Sequence, residues 1–159
     1  MEIKVGMADM NVCSAPDSII TLGLGSCVGV VLWDSTKKVC GMVHVMLPDS
    51  TTISQNSNRA KFADTGIEDL LKKVEAMGGR KERIVAKIAG GAQMFSVNKS
   101  SPAMRVGERN VESVKNTLDR LGIKLVAEDT GENYGRTVTF YPETGVYTIK
   151  AIGRDIKSI

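Results

Sequence analysis

Hydrophobic and polar positions alternate with a period of two over several short stretches of the chain, and this period predicts β-strands. Residues 2–7 alternate in this way at the N-terminus. Two later stretches, 27–33 and 39–47, are largely apolar and flank a polar segment at 34–38. Apolar runs of this length are typical of strands covered on both faces, so we expect a buried hairpin here.

Two other stretches have the three- to four-residue spacing of amphipathic helices. Apolar residues recur in this way over 67–77, before Gly78 and Gly79, and over 111–121, before Gly122. A glycine in such a position commonly ends a helix. Further short apolar segments predict additional strands at 19–22, 83–89, 123–127, 137–141 and 146–152. About eight strands and two helices predict an α/β layered sandwich whose helices cover one face of a sheet stack.

The composition is that of an ordinary globular protein, with 42% hydrophobic and 25% charged residues among 159. At this length we expect a single domain over residues 1–159 that needs no disulfide or metal to be stable. Aromatic residues make up only 4%, and no basic run accompanies the net charge of +3, which disfavours nucleic-acid binding. No apolar stretch reaches the ~18 residues that cross a bilayer, and the N-terminus lacks the apolar block of a signal peptide, so we expect a cytoplasmic protein.

The candidate chemistry rests on the single histidine, His44, and on Cys27, which lies in the glycine-rich turn GLGSC at 23–27. Only histidine ordinarily titrates near neutral pH, and a thiol needs a base or a positive neighbour to become a strong nucleophile. We therefore expect Cys27 and His44 to pair, and the paired thiol to be alkylated rapidly near neutral pH. A hairpin that turns near Thr36 places residue 27 opposite 45, or opposite 44 after a small shift. The residues alone leave open that Cys27 is a buried apolar side chain and His44 a core histidine.

Other kinds of site fit the sequence less well. The glycines at 23, 25 and 29 miss the spacing of a dinucleotide fingerprint. Cys40 and His44 lie about 13 Å apart on one predicted strand, which is too far for a shared zinc ion. An odd count of three cysteines favours free thiols. Acidic residues on the first helix lie on its polar face, where a solvated surface is expected.

Five segments together resemble the CheD family, the chemoreceptor glutamine deamidases of bacterial and archaeal chemotaxis. They are LGSCVGV at 24–30, GMVHVMLP at 41–48, KIAGGAQMF at 87–95, GERNV at 107–111 and AEDTG at 127–131. The resemblance covers essentially the whole chain and implies a three-layer α/β/β sandwich. It also implies a cysteine-hydrolase site of Cys27, His44 and Thr21, with Cys13 and Cys40 outside it as packing residues.

The activity implied by the resemblance is hydrolysis of glutamine side chains on the cytoplasmic helices of chemoreceptors, without a metal or other cofactor. We expect the backbone N–H groups of Ser26 and Cys27 to stabilise the oxyanion, and a glutamyl methyl ester to be a second substrate. The implied protein partner is the phosphatase CheC. A non-catalytic adaptor that binds receptor and CheC is the alternative.

Partner binding is expected at the two longest irregular segments, 49–58 and 90–105, because loops on a rigid sheet commonly carry recognition. Met94, Phe95 and Met104 give the second segment apolar side chains of the kind that dominate interfaces. Each of the three also has an alternative interpretation as a core residue.

Overall fold

The computed structural model of the chain describes residues 1–52, 54, 56–94 and 105–159. This described part contains ten strands and two α-helices. The strands are β1 (Glu2–Val5), β2 (Met10–Ser14), β3 (Ser18–Leu24), β4 (Val28–Asp34), β5 (Val39–Val45), β6 (Val85–Gly90), β7 (Lys124–Thr130), β8 (Arg136–Tyr141), β9 (Val146–Lys150) and β10 (Lys157–Ser158). The helices are α1 (Ala63–Ala76) and α2 (Val106–Leu121).

The strands form two five-stranded sheets that pack face to face. The central sheet has the order β2-β5-β4-β6-β7, and the outer sheet has the order β1-β3-β8-β9-β10. Apolar side chains of α1 and α2 pack on one face of the central sheet, and those of the outer sheet pack on its other face. The expected three-layer α/β/β sandwich is therefore confirmed.

The hairpin of β4 and β5 lies at the middle of the central sheet, which explains its apolar sequence. All seven residues of β5 are buried, because helices cover one face and the outer sheet covers the other. The strands pair from Val28 with Val45 to Asp34 with Val39. In this register Gly29 lies opposite His44, so the expectation that residue 27 faces 45 or 44 was wrong. The turn is centred between residues 36 and 37, which moves each pairing by one position.

The buried carboxylate of Asp34 stabilises the end of β4 by accepting several hydrogen bonds. Asp34 is fully buried and accepts hydrogen bonds from the N–H groups of Thr36, Lys37 and Arg80, at 2.9, 3.2 and 2.9 Å, and from the guanidinium of Arg83. Burial alone would raise the pKa of Asp34, but Arg83 and the three N–H groups together lower it to about 2. Asp34 thus ties the β4–β5 turn to the segment between α1 and β6.

Several element boundaries differ from the sequence-based expectation. Helix α2 begins at Val106 rather than near 111. The buried residues of its first turns include Gly107 and Asn110, and a search for regularly spaced apolar residues does not detect these two. Strand β2 was not predicted, since it is a short edge strand with a single buried residue, Cys13. Strand β10, of two exposed residues, was also missed.

Candidate active site

Cys27 lies at the end of the glycine-rich turn between β3 and β4, with 8% of its surface exposed. Gly23 opens the turn with φ of +72°, a left-handed conformation that favours glycine. The segment after β6 holds the turn from one side: the Gly91 N–H donates to the Cys27 carbonyl at 2.8 Å, and the Ala92 N–H donates to the Gly25 carbonyl at 2.9 Å. The backbone that carries the thiol is therefore fixed by long-range hydrogen bonds.

Asn110 of α2 holds the same turn from the helical side. Its fully buried Nδ2 donates to the carbonyls of Ser26, at 2.9 Å, and Met46, at 3.0 Å. One side chain thus joins the turn that carries Cys27 to the end of β5. Sequence reasoning did not single out Asn110, although a polar residue on the buried face of an amphipathic helix is a signal that could have found it.

Thr21 and His44 meet in the layer between the two sheets. The hydroxyl of Thr21 donates to the Val5 carbonyl at 2.8 Å, and its oxygen lies 2.8 Å from Nδ1 of His44. A hydroxyl has one hydrogen, so Oγ1 can only accept from the ring, and Nδ1 must carry the proton. Nε2 is then the basic nitrogen with a free lone pair. It is buried and has no hydrogen-bond partner among the described residues.

Cys27 and His44 lie on the same face of the central sheet, in diagonal positions. His44 is opposite Gly29, and Cys27 precedes Gly29 by two residues, so the side chains of Cys27 and His44 point toward the outer sheet. Diagonal neighbours of this kind have Cα atoms about 7–8 Å apart. No hydrogen bond joins Nε2 to the thiol in the described structure. The geometry therefore brings Thr21 and His44 into direct contact and places Cys27 one diagonal step away.

Burial keeps both reactive groups neutral in the resting protein. Desolvation raises the pKa of the Cys27 thiol above 9.0, although its own backbone N–H opposes this, and desolvation lowers the pKa of His44 below 6.5. A preformed thiolate–imidazolium pair is thus disfavoured. The expectation that this thiol is alkylated rapidly near neutral pH stays a prediction.

Tyr147 fills the space behind the site. Its fully buried hydroxyl donates to the Gly29 carbonyl at 2.9 Å. A Cβ atom on residue 29 would lie 2.8 Å from this hydroxyl and 3.2 Å from a methyl group of Leu24, so only glycine fits there without displacing them. Tyr147 thereby anchors β4 at the residue that faces His44.

The N–H groups of Ser26 and Cys27 are available at the site. Within the described residues, neither donates to a backbone carbonyl. Leu22, five residues before Cys27, is 57% exposed, and Met94, which packs over Gly25, is 46% exposed. Phe95 and Met104 lie outside the described residues.

The segment 49–58 is tied to α1 where the structure describes it. The backbone N–H and the hydroxyl of Ser50 both donate to the carboxylate of Asp64, at 3.1 and 2.8 Å. Asn58 donates from Nδ2 to the Ala8 carbonyl at 3.2 Å, which brings the end of this segment beside the N-terminal strands. The end of this segment therefore lies close to the backbone of His44, which is hydrogen-bonded to Ala8 and Asp9.

The described residues contain neither a metal-binding cluster nor a membrane-spanning helix. Among the described residues, no three His, Cys, Asp or Glu side chains come together as a metal ion requires. In the same part of the chain, no helix combines the length and the apolar character needed to cross a bilayer.

Comparison with known proteins gives matches along nearly the whole chain. The sequence profile of the family described as CheD chemotactic sensory transduction matches residues 46–151. A probable chemoreceptor glutamine deamidase CheD of Lachnoclostridium phytofermentans is 60% identical over 157 residues, which cover 99% of this chain and 98% of that protein. The chemoreceptor glutamine deamidase CheD of Halalkalibacterium halodurans is 52% identical over 158 residues, with 99% and 98% covered.

Proposed function

The chain belongs to the CheD family, and from this premise we propose that it is a chemoreceptor glutamine deamidase that works through Cys27, His44 and Thr21. The observation that carries the assignment of residues is the contact of Thr21 with His44. Because the hydroxyl of Thr21 donates its only hydrogen to the Val5 carbonyl, the histidine must keep its proton on Nδ1. Its basic nitrogen then lies in the same layer as the thiol, and a closer approach of the two groups would allow His44 to activate Cys27 as the base of a cysteine hydrolase does.

The reaction begins with a neutral thiol and a neutral imidazole. A glutamine side chain enters beside Cys27, and the thiol transfers its proton to Nε2 of His44 as sulfur attacks the amide carbon. Loose contacts between nucleophile and base are common in proteins without substrate and tighten when substrate binds. A rotation of the Cys27 side chain toward the diagonal position of His44 supplies that closer approach.

Negative charge then develops on the amide oxygen. The N–H groups of Ser26 and Cys27 donate to no backbone carbonyl in the described structure, so they are the donors that we assign to the oxyanion. His44 returns the proton to the departing nitrogen, and ammonia leaves with formation of a thioester. Water, deprotonated by His44, hydrolyses the thioester to glutamate and restores the thiol.

Thr21 acts by orienting the ring rather than by supplying charge. In a triad with a carboxylate, the third residue stabilises the imidazolium by its negative charge. A threonine hydroxyl lacks that charge, and the lowered pKa of His44 fits a base that is neutral at rest. The Thr21 oxygen nevertheless accepts a hydrogen bond from Nδ1–H throughout, so the basic Nε2 keeps facing the layer that contains Cys27.

The product changes the charge of the receptor. Each deamidation adds one negative charge to a receptor helix, which alters electrostatic contacts between helices. A glutamyl methyl ester has the same carbonyl carbon and a better leaving group, so the same site is proposed to hydrolyse it as well. The exposed side chains of Leu22 and Met94 form an apolar rim for receptor or for CheC, the proposed protein partner.

Intact mass spectrometry of a purified receptor cytoplasmic fragment tests this function. After incubation with the protein, we expect selected glutamines to gain the small mass that replacement of an amino group by a hydroxyl adds, and peptide mapping locates them. His44→Gln should abolish the change, while Lys115→Ala, a surface variant on α2, should leave it intact. A receptor that binds the protein but keeps all its glutamines would instead indicate a non-catalytic adaptor.

A further inference from the structure

Two cysteines outside the proposed active site form a close pair in the core. We propose that Cys13 and Cys40 are an oxidation site, at which a hydroperoxide converts the two thiols into a disulfide that joins β2 to β5. Their sulfur atoms lie 3.6 Å apart, and neither contacts the catalytic residues by any hydrogen bond in the described structure. This assigns a chemical role to residues that the sequence suggested were packing residues only.

The strand register places the two residues where a disulfide can form. Cys13 and Cys40 lie directly opposite each other in the antiparallel pair of β2 and β5. Hydrogen bonds from Ala15 N–H to the Lys38 carbonyl and from His44 N–H to the Asp9 carbonyl show that this is a hydrogen-bonded position of the ladder. Cα atoms at such positions are about 5.5 Å apart, within the roughly 4.4–6.8 Å that disulfides span.

Only a small movement is needed to form the bond. The sulfurs must approach from 3.6 Å to about 2.0 Å, which side-chain rotation and a slight shift of β2 can supply. Strand β2 is the edge strand of the central sheet, and Cys13 is its penultimate residue. Edge strands open locally at a lower cost in free energy than central strands, so a small peroxide can reach a thiol that is 4% exposed.

The chemistry assigns different roles to the two thiols. The hydrogen bond from the Cys40 thiol lowers the pKa of Cys13, while the same contact and burial raise the pKa of Cys40. Cys13 lies on the edge strand and is 4% exposed, whereas Cys40 is fully buried, so Cys13 attacks the peroxide: its sulfur takes one oxygen, the O–O bond breaks, and water or an alcohol leaves. Cys40 then attacks the sulfenic acid of Cys13, a sulfur–sulfur bond forms, and the oxygen leaves as water. The two thiols lose two electrons and two protons in total, and the peroxide is reduced.

The bond would stabilise the part of the fold that holds the proposed active site. The loop that it closes, from 13 to 40, contains both Thr21 and Cys27. Residues just before β2 also pair with the backbone of His44. Disulfides stabilise largely by restricting the unfolded chain, so we expect the oxidised protein to melt at a temperature about 5 °C or more above that of the reduced protein.

The test uses the full chain with Cys27→Ser, which removes the third thiol and leaves the pair. Treatment with hydrogen peroxide should remove both remaining thiols and lower the intact mass by two hydrogens. Peptide mapping without reductant should find Cys13 joined to Cys40 in a monomer, and dithiothreitol should restore both thiols and the original melting temperature. The matched control, Cys13→Ala with Cys27→Ser, should keep its one thiol and its melting temperature.

Three results would overturn the proposal. One is a folded protein that keeps both thiols under conditions that oxidise the same chain in urea. Another is sulfinic or sulfonic acid at Cys13 without a disulfide. The third is a disulfide that links two chains. Because the test does not measure deamidation, its result is independent of the proposed function.

Discussion

The contact between Thr21 and His44 gives the sharpest test of how the site is organised. Replacement of Thr21 by valine keeps nearly the same shape and removes the hydroxyl oxygen that accepts a hydrogen bond from Nδ1–H of His44, with 2.8 Å between Oγ1 and Nδ1. In the proposed mechanism, the lost hydrogen bond is made by a ring that becomes an imidazolium. Hydrogen bonds to charged groups contribute about 1.5–3 kcal/mol, and about 1.4 kcal/mol corresponds to a tenfold change in rate. We therefore expect kcat/KM to fall by about 10- to 100-fold.

Two measurements separate the loss of this hydrogen bond from a general loss of structure in the variant. Ammonia release from a receptor fragment gives the rate, and Thr21→Ser, which retains the hydroxyl, should retain most of the activity. NMR of the ring nitrogens gives the tautomer, and its signals are unambiguous because His44 is the only histidine in the chain. We expect the proton on Nδ1 in the unmodified protein and a shift toward Nε2 in Thr21→Val. An unmodified protein with its proton on Nε2, or a valine variant with full activity, would refute the reasoning.

Three further predictions follow from burial and charge. The proposed mechanism needs a neutral His44 and a protonated Cys27 thiol, so the rise of kcat/KM with pH should have its midpoint below the usual pKa of histidine, and the fall above the usual pKa of a cysteine thiol. An acid limb at or above the usual pKa of histidine would contradict this. Asp34→Ala should lower the free energy of unfolding in urea by about 3 kcal/mol, because it leaves Arg83 and three N–H groups without their acceptor. The control Lys115→Ala removes an exposed ion pair and should lower the free energy of unfolding by less than about 1 kcal/mol. EDTA should leave the deamidation rate unchanged, and a stoichiometric metal lost together with activity would contradict a metal-free thiol mechanism.

The sequence predicted the parts of this molecule that depend on local pattern. The apolar runs at 27–33 and 39–47 indicated the central hairpin, and the glycines around Cys27 indicated the turn that carries it. The register of the hairpin was missed by one residue, because the polar segment 34–38 does not by itself fix the centre of the turn. The difference matters here, since it makes Gly29, rather than Val28 or Cys27, the partner of His44.

Contacts between distant elements could not be read from periodicity. Thr21 and His44 lie on strands of different sheets, and the resemblance to a known family, rather than any spacing, indicated that they belong together. Asn110 shows the same limit, since its two acceptors lie on segments that are 84 and 64 residues away in the chain. The pairing of Cys13 with Cys40 also depends on an edge strand whose short, half-exposed sequence gave no clear signal.

The most direct test of the central claim compares the three cysteines one at a time. The rate of glutamine deamidation on a receptor fragment is measured for Cys27→Ala, Cys13→Ala and Cys40→Ala, with circular dichroism to establish that each variant is folded. The account predicts that Cys27→Ala loses activity by about 10⁴-fold or more, as removal of a nucleophile does, while the other two variants keep most of theirs. A folded Cys27→Ala protein that still deamidates the receptor, or an equal loss in all three variants, would contradict the assignment of Cys27 as the nucleophile.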